Sequence, residues 1–502
     1  MTVFPMSAID VLVPANAVCH LHAVVADRLR ENGHDVALVG VDTPAISPAL
    51  KNILCFERTV LRVRLNSLLE TLPAPVLSPA RPDAALRVDL TGGGQQFVSP
   101  VLAPSFNGCP SLSKAARLLM LGQLPDVDIV LDGAKPVAHA APMVDSRISI
   151  VRGIEDVLAR MVTLLVDTAH RYLNGEPGGR VSVGPPSEGD CPTSCQMIGA
   201  YVFSVVPRQV AGAAKRLAYN LHRWNVSYRF HRGKRVADTG LLAGEPWITL
   251  PDDGNRFYAD PFPFEWQGRR FIFVEDFLHG GDKAVISVAE VFGDGSATVP
   301  RCVLEEPYHL SYPQVFSHDG EIWMLPEGGA GGNLVLYRAE AFPDRWERHE
   351  VLISEWELYD ATVLEHSDRL WLFATQRDGY GSASDTLVVF HAKSLQGPWL
   401  PHPANPVRIN RAAARPGGRF VRVGDRIVLP LQDGTGEYGG ALGLADLVEL
   451  DETKVRLTIP VPILSPDKST YSKVHTLNSS EHLEVIDCIS PVLRGGLRRA
   501  RR

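Results

Sequence analysis

The chain has 502 residues, a net charge of −7 and a pI near 6.2. This length exceeds what one hydrophobic core usually organises, and it indicates two or three domains. The mildly acidic balance argues against a polyanionic ligand, so we expect no nucleic-acid partner. The basic tail of residues 491–502, which ends in RGGLRRARR, is predicted to be a solvated terminus, with peripheral contact to a membrane surface as the alternative.

The seven cysteines are scattered along the chain, without the spacing of a disulfide framework, which is typical of a reducing cytoplasm. Cys191 and Cys195 form a C-x3-C pair, but they lack the second pair or the nearby histidines that a zinc site needs. No basic leader precedes the first apolar residues, and no apolar run reaches about 18 residues. We therefore expect a soluble, cytoplasmic protein.

Residues 1–173 alternate short apolar runs with helical patterns, which predicts an α/β domain. The runs AIDVLVP, HDVALVGV, LRVDLTG and VDIVLDG indicate buried strands. Two helical segments end in Asn-Gly, a common stop signal. The glycines at 92–94 lack the spacing of a phosphate-binding turn and indicate a plain loop. Residues 174–196 are rich in Gly, Pro and Ser and are predicted to form a linker.

Residues 197–490 contain a repeated pattern of an apolar run, a hairpin turn and a second apolar strand. The copies are DPFPFEWQGRRFIFVE, YPQVFSHDGEIWMLPE, DATVLEHSDRLWLFAT, RPGGRFVRVGDRIVLP and the weaker HTLNSSEHLEVIDC. Their first residues, at separations of 52, 48, 55 and 60, are Asp260, Tyr312, Asp360, Arg415 and His475. This period predicts a five-bladed β-propeller rather than a sandwich.

Matched positions of successive blades converge on one end of the central channel, so we expect Asp260, Asp360, Arg415 and His475 to face one another. Turn capping by the aspartates is the alternative. Further acids stand where strands end: Glu275, Asp276, Glu327 and Asp433. An aromatic mouth would suit sugar rings, and its candidates are Tyr308, His309, Tyr312, Trp356, Tyr359 and Tyr438.

Several ordered motifs carry a family resemblance, among them FYADPFPFEWQGRRFIFVED, EEPYHLSYPQVFSHDGEIWMLPE, QDGTGEYG and HTLNSSEHLEVID. Together, over residues 224–487, they resemble the N-terminal domain of plant glucosamine inositolphosphorylceramide transferase and bacterial proteins that carry that domain. This family is similar in turn to the five-bladed propellers of glycoside hydrolase family 43. The first 173 residues resemble a formyltransferase domain only loosely.

The resemblance to family 43 implies roles for individual residues. Asp260 matches the catalytic base of the first blade, Asp360 the orienting acid of the third, and His475 a histidine near a central cation. The general acid of the fourth blade is replaced by Arg415, which cannot donate a proton at neutral pH. Glu327, followed by Asp433 or Glu305, is therefore the candidate proton donor.

Three functions follow from this departure. The propeller could hydrolyse a glycan with a relocated acid, transfer a sugar with Arg415 neutralising a phosphate leaving group, or only bind glycan. We favour glycosyl transfer on a cell-surface glycan or glycolipid intermediate, since no secretion signal is apparent. The expected ligand is a carbohydrate or nucleotide-sugar, and the one cofactor considered is a central divalent cation near His475.

The first domain departs from formyltransferases at the catalytic histidine. Those enzymes use an Asn, a His and an Asp, with the His in a HPSLLP type of motif. The corresponding stretch here, APSFNGCPSLS, lacks it and leaves Asn107 and Asp132 as the remaining candidates. We therefore expect this domain to lack formyltransferase activity.

Overall fold

The computed structural model describes residues 7–43, 46–60, 68–73, 75–92, 97–133, 135–176, 190–220, 224–436, 439–465, 473–489 and 492–493. These residues divide into two compact units. The first runs to Ala213 and includes Tyr380–Ser382, and the second comprises the remainder. The first propeller strand begins at Trp224, later than the predicted domain start at residue 197.

The first unit is built on a mixed sheet with strand order β2-β1-β3-β4-β5-β6. Strands β1 to β4 pair in parallel, and β5 and β6 are antiparallel to their neighbours. The strands are β1 (Ala8–Pro14), β2 (Asp35–Val41), β3 (Leu86–Asp89), β4 (Val101–Phe106), β5 (Val127–Leu131) and β6 (Lys135–Ala140). The four predicted strands are confirmed. The two that were missed, β4 and β6, each contain a proline, which weakens the strand pattern.

The helices of the first unit are α1 (His20–Glu31), α2 (Pro48–Val60), α3 (Leu112–Met120), α4 (Ile150–Leu173), α5 (Ser194–Ala200) and α6 (Val206–Ala218), with a π-helical turn (Tyr201–Val205) between the last two. The two helices predicted within residues 1–173 are confirmed as α1 and α4, and α2 and α3 were not predicted. The long helix α4 begins after Ser149, whose hydroxyl accepts the Arg152 N–H, and it ends at Asn174 and the left-handed Gly175. None of the helices in the described part of the chain has both the length and the apolar character needed to cross a lipid bilayer.

The cysteine prediction needs a correction. Cys109 and Cys191 form a disulfide bond within the first unit, although 82 residues separate them in the sequence. Scattered spacing gave no sign of this pair, because disulfide geometry depends on the distance between the two Cα atoms, here 6.0 Å, and not on separation along the chain.

The second unit begins with β7 (Tyr219–Asn220), β8 (Trp224–Phe230), helix α7 (Val236–Thr239) and β9 (Ile248–Thr249). Blade 1 then contains β10 (Arg256–Trp266), β11 (Arg269–Leu278), β12 (Ala284–Val291) and β13 (Arg301–Leu304). Blade 2 contains β14 (Ser311–His318), β15 (Glu321–Glu327), β16 (Asn333–Ala341) and β17 (Arg345–Ser354), with a 3-10 turn at Gly329–Gly331.

Blade 3 contains β18 (Glu357–His366), β19 (Arg369–Arg377), β20 (Thr386–Ala392), β21 (Leu400–Pro401) and β22 (Arg408–Ile409). Blade 4 contains β23 (Val421–Val423), β24 (Arg426–Asp433), β25 (Ala441–Leu450), β26 (Val455–Leu457) and β27 (Val461–Pro462). The last strands are β28 (Val474–Ser479), β29 (Leu483–Ile489) and β30 (Val492–Leu493), which pairs with β7. Blade 5 has the order β28-β29-β8-β9, so strands from before Asp260 complete it.

Five apolar cores confirm the five-bladed ring, because each is shared by two neighbouring blades. Phe273 of blade 1 and Trp346 of blade 2 belong to one cluster, and Trp323 of blade 2 and Phe390 of blade 3 belong to the next. Equivalent clusters join blades 3 and 4, blades 4 and 5, and blades 5 and 1. The aromatic residues Trp323, Trp371 and Phe373 are buried in these cores, as the sequence predicted.

The closure of the ring is reinforced by a buried ion pair. Arg229 of β8 donates from Nε and Nη2 to Glu484 Oε2 of β29, at 3.0 and 2.8 Å. Both side chains are almost completely buried. Removing one partner would leave the other charge buried and uncompensated, which costs more than the pair itself contributes.

We expect Glu484→Gln to lower the free energy of unfolding of the propeller by about 3 kcal/mol or more, measured by urea denaturation. The matched control is Glu347→Gln, which removes the exposed partner of Arg338 and should cost under about 1 kcal/mol. Equal effects of the two substitutions would contradict this role for the buried pair.

Candidate functional site

The innermost strands of three blades bulge at the same position. The pairing register shifts between Ala259 and Phe262, between Ser311 and Gln314, and between Tyr359 and Thr362. The residue inside each bulge has left-handed backbone, with φ of +47° at Asp260, +46° at Tyr312 and +50° at Asp360. Such backbone is unusual for residues other than glycine, and a bulge re-aims the side chain it carries.

Blades 4 and 5 present their matched residues differently. His475 and Thr476 lie in a register shift between Val474 and Leu477 of blade 5. Arg415 precedes the first strand of blade 4, next to Pro416, which forms a bridge with Leu431. The repeat therefore brings the predicted residues to one end of the channel, although the fourth blade does so from a loop.

Asp360 and Arg415 form a buried, bidentate ion pair. Arg415 Nε lies 2.5 Å from Asp360 Oδ2, and Nη2 lies 3.2 Å from Oδ1. The remaining guanidinium nitrogen donates to Ser384 Oγ at 3.1 Å, and Gln432 Nε2 donates to Asp360 Oδ2 at 2.7 Å. The charge of Arg415 is thus neutralised by Asp360 inside the site. A phosphate leaving group could pair with Arg415, as predicted, only by displacing Asp360.

Glu327 completes this half of the site. Its Oε2 accepts the backbone N–H of Asp360 at 2.9 Å and lies 3.5 Å from Arg415 Nη2. Burial, together with the negative charge of Asp360, raises the pKa of Glu327 well above its usual range, and Arg415 offsets only part of this. A raised pKa favours the protonated side chain, which is the state required of a proton donor.

Asp260 belongs to a second cluster with His475 and Asp487. Thr476 Oγ1 donates to Asp260 Oδ1 at 2.9 Å, and His475 Nδ1 lies 3.5 Å from the same oxygen. Asp487 Oδ2 accepts the Asp260 N–H at 2.9 Å and lies 3.0 Å from His475 Nδ1. The bulge at Asp260 is therefore held by a carboxylate from the last blade.

The groups of this cluster have strongly shifted pKa values. Burial raises the pKa of Asp260 to about 8, with His475 opposing the rise and Asp360 and Glu275 adding to it. Burial alone would lower the pKa of His475, but Asp487 and Asp260 raise it to about 9.

Asp260, His475 and Asp487 can be tested as a cation site. One ligand atom from each lies within 4.8 Å of the other two, so two carboxylates and an imidazole could hold a divalent cation. In the present arrangement His475 Nδ1 is hydrogen-bonded to Asp487 and its pKa is raised, and a metal ligand must be deprotonated. His475 Nδ1 therefore cannot carry a proton and bind a cation at the same time. The central cation remains a prediction.

His309 and Tyr308 lie in the loop between blades 1 and 2, in partly buried positions. The Ala284 N–H donates to His309 Nδ1 at 3.2 Å, which leaves Nε2 to face Glu275 Oε1 at 3.3 Å. Burial would lower the pKa of His309, but Glu275 and then Asp260 raise it. The Tyr308 hydroxyl lies 3.3 Å from that of Tyr337.

Other predicted residues do not join the site. Tyr312, predicted at the mouth, is fully buried, and its hydroxyl contacts Thr362 Oγ1 at 2.9 Å and accepts the Gly418 N–H at 2.8 Å. It packs between blades because its bulge turns the ring inward. Asp433 accepts the Thr435 N–H in a turn. Tyr438 lies outside the described residues.

Sequence reasoning missed Asp487, Thr476 and Gln432, all of which are buried beside the site. The signal for Asp487 was present at the end of the fifth repeat, since β28 and β29 pair as a hairpin. In the first unit, Asp132 accepts the Val101 N–H and Asn107 accepts the Asp126 N–H, both at loop positions.

An open cleft of about 740 Å³ lies at the hairpin end of blade 5, away from His475, and its lining includes His231, Lys234 and Arg235. Its charged groups are exposed or paired locally, as Arg235 is with Asp238. We therefore place the candidate site at the channel end and not in this cleft.

The comparisons with known proteins match the propeller. Residues 249–489 match the family described as glucosamine inositolphosphorylceramide transferase 1, N-terminal. The protein of that name from Oryza sativa subsp. japonica is 33% identical over 211 residues, which is 41% of this chain and 28% of that protein. The Arabidopsis thaliana protein is 28% identical over 247 residues, which is 46% of this chain and 32% of that protein.

The chain thus matches less than a third of the length of these relatives, which are plant proteins. Neither the expected likeness to bacterial proteins nor a formyltransferase-like first domain gains support, since the family match begins at residue 249. Among solved structures, Bacteroides ovatus Xyloglucan PUL GH43B has a TM-score of 0.34 and 14% identity, covering 44% of this chain and 50% of that one. A likeness this low carries no weight, and the five-bladed architecture rests on the strand pairing and the shared cores.

The shifted pKa of His475 predicts a pH dependence of stability. Because its pKa rises from 6.5 to about 9 on folding, its contribution is complete below pH 6.5 and is lost as the pH rises through 9. Urea unfolding should show a fall in stability between these pH values for the unchanged chain and for the exposed-site control His349→Gln. We expect His475→Gln to flatten that fall, and an unaltered slope would contradict the assignment.

Proposed function

We propose that the propeller binds a glycan, or the sugar headgroup of a glycolipid, at the channel end that holds Asp260 and acts there on a glycosidic bond. The observation that supports this most is the presence of two buried carboxyl groups at this end of the channel, Glu327 in one cluster and Asp260 in the other. Cleavage of a glycosidic bond uses one carboxyl group as a proton donor and a second as a base.

Glu327 would protonate the oxygen of the leaving group. The negative charge of Asp360 raises the pKa of Glu327, which favours a proton on Glu327 until the leaving oxygen develops charge. Arg415 holds the Asp360 carboxyl group in position, so it acts here as a positioning residue.

Asp260 would take the proton from the attacking hydroxyl. With a pKa near 8 it is a base whose active fraction grows as the pH rises toward that value. Its neighbour His475, with a pKa near 9, remains protonated over the same range and stabilises the carboxylate.

Transfer and hydrolysis share this chemistry and differ in whether the attacking hydroxyl belongs to a sugar or to water. The matched relatives are named glucosamine inositolphosphorylceramide transferase 1. This name supports transfer rather than hydrolysis, and a glycolipid as the partner. Use of a nucleotide-sugar is supported less, because Arg415 is engaged by Asp360.

A non-catalytic glycan-binding role is the second candidate. The match to the rice protein covers 28% of its length, and the family description names an N-terminal part, so the transferase activity of the relatives need not reside in the shared region. The pairing of the channel charges with one another also suits a rigid binding surface.

A glycan array identifies the sugar that binds, and aryl and alkyl glycosides of that sugar then serve as donors. We expect Glu327→Gln to reduce turnover about 10²–10⁴-fold for alkyl leaving groups and far less for nitrophenyl ones, which need no protonation. Asp260→Asn should reduce turnover of both, and the exposed control Glu347→Gln should change neither.

The array and the rates together separate the two candidates. Binding of a glycan without turnover of any glycoside would replace the catalytic proposal by the binding one. Absence of glycan binding, or equal loss for both leaving groups in Glu327→Gln, would contradict the assigned roles.

A further inference from the structure

Helices α5 and α6 and the π-helical turn between them present large apolar side chains to solvent. Phe203 is 82% exposed and Val210 is 65% exposed. The stripe recurs about once per turn, and the wider π turn directs the adjacent Val202 and Phe203 outward together. Its members are Ile198, Val202, Phe203, Val206 and Val210.

Helix α2 extends this stripe into a broader surface. The ring of Phe56 packs edge-to-face against Tyr201 at 6.2 Å, while Phe56 and Val60 remain about half exposed. We call the exposed apolar side chains of α2, α5, the π turn and α6 the apolar face. Contiguous apolar surface of this kind on a folded domain marks an interaction site.

The charges around the apolar face have one sign. Along α2 and the segment from Ser194 to Ala214 the basic residues are Lys51, Arg58 and Arg208, and the guanidinium of Arg208 donates to the Met120 carbonyl oxygen. The single acidic residue of this part of the helices, Glu57, is fully buried. Its carboxylate accepts from Ser149 Oγ at 2.9 Å, from the Val151 N–H at 3.0 Å and from the Tyr201 hydroxyl at 3.2 Å. Among the described side chains of these helices, positive charge therefore accompanies the exposed apolar stripe.

We propose that this apolar face docks the protein on an anionic lipid surface. Apolar side chains of a surface helix enter the boundary between headgroups and acyl chains, and flanking basic residues are attracted to anionic lipid. A second copy of the chain is a poorer occupant, because two such faces would bring like charges together. The proposal does not involve the basic C-terminal tail, whose arginines lie outside the described residues.

Vesicle co-sedimentation of the full chain tests the proposal. We expect binding to phosphatidylcholine vesicles that contain phosphatidylserine, weaker binding to phosphatidylcholine alone, and loss of the difference at high salt. Phe203→Glu and Val210→Glu should each weaken binding about tenfold or more, since each removes one inserted side chain and adds a negative charge.

The matched control is Ile459→Glu in the propeller, where the side chain is 83% exposed and the same charge is added. It should bind vesicles like the unchanged chain, and circular dichroism melting should be alike for all variants because each site is on the surface. Unaltered binding of both Phe203→Glu and Val210→Glu would overturn the proposal. A second outcome would also overturn it: the unchanged chain is a dimer in solution, and Phe203→Glu converts it to a monomer without any change in vesicle binding.

Discussion

The candidate site depends on the left-handed bulges of the innermost strands. A regular strand alternates its side chains between the two faces of a blade, toward neighbouring blades. Left-handed backbone at Asp260 and Asp360 breaks this alternation and directs two carboxyl groups to the channel end. Such backbone is costly for aspartate, so the surrounding bonds must hold it, and the N–H groups of these two residues are bound by Asp487 and Glu327.

The same bonds couple backbone geometry to electrostatics. Glu327 accepts the N–H of Asp360, and burial together with the negative charge of Asp360 raises the pKa of Glu327. Asp487 plays the corresponding part for Asp260 and places His475 within reach. The hydrogen bonds that fix each bulge therefore also influence the pKa values of the acids in the site. The closed ring supplies the rigidity that the bulges and these hydrogen bonds need.

The repeat period was enough to predict the five blades, the hairpin turns and the convergence of Asp260, Asp360 and Arg415, because blades differ little in length. It could not predict Asp487 or Gln432, since their roles depend on which strands pair across blades. Tyr312 shows a further limit: its repeat position is equivalent to that of Asp260, yet its large ring packs into the interblade core. The disulfide of the first unit could not be predicted either, because it depends on which cysteines lie close together in the folded structure.

The central claim is that Glu327 carries a proton at neutral pH beside Asp360. The most direct measurement is the infrared difference spectrum between the unchanged chain and Glu327→Gln at neutral pH. The account predicts a C=O band of a protonated carboxylic acid that is present in the unchanged chain and absent from the variant. The same absorbance in both proteins in that region, with loss of a carboxylate band instead, would contradict it.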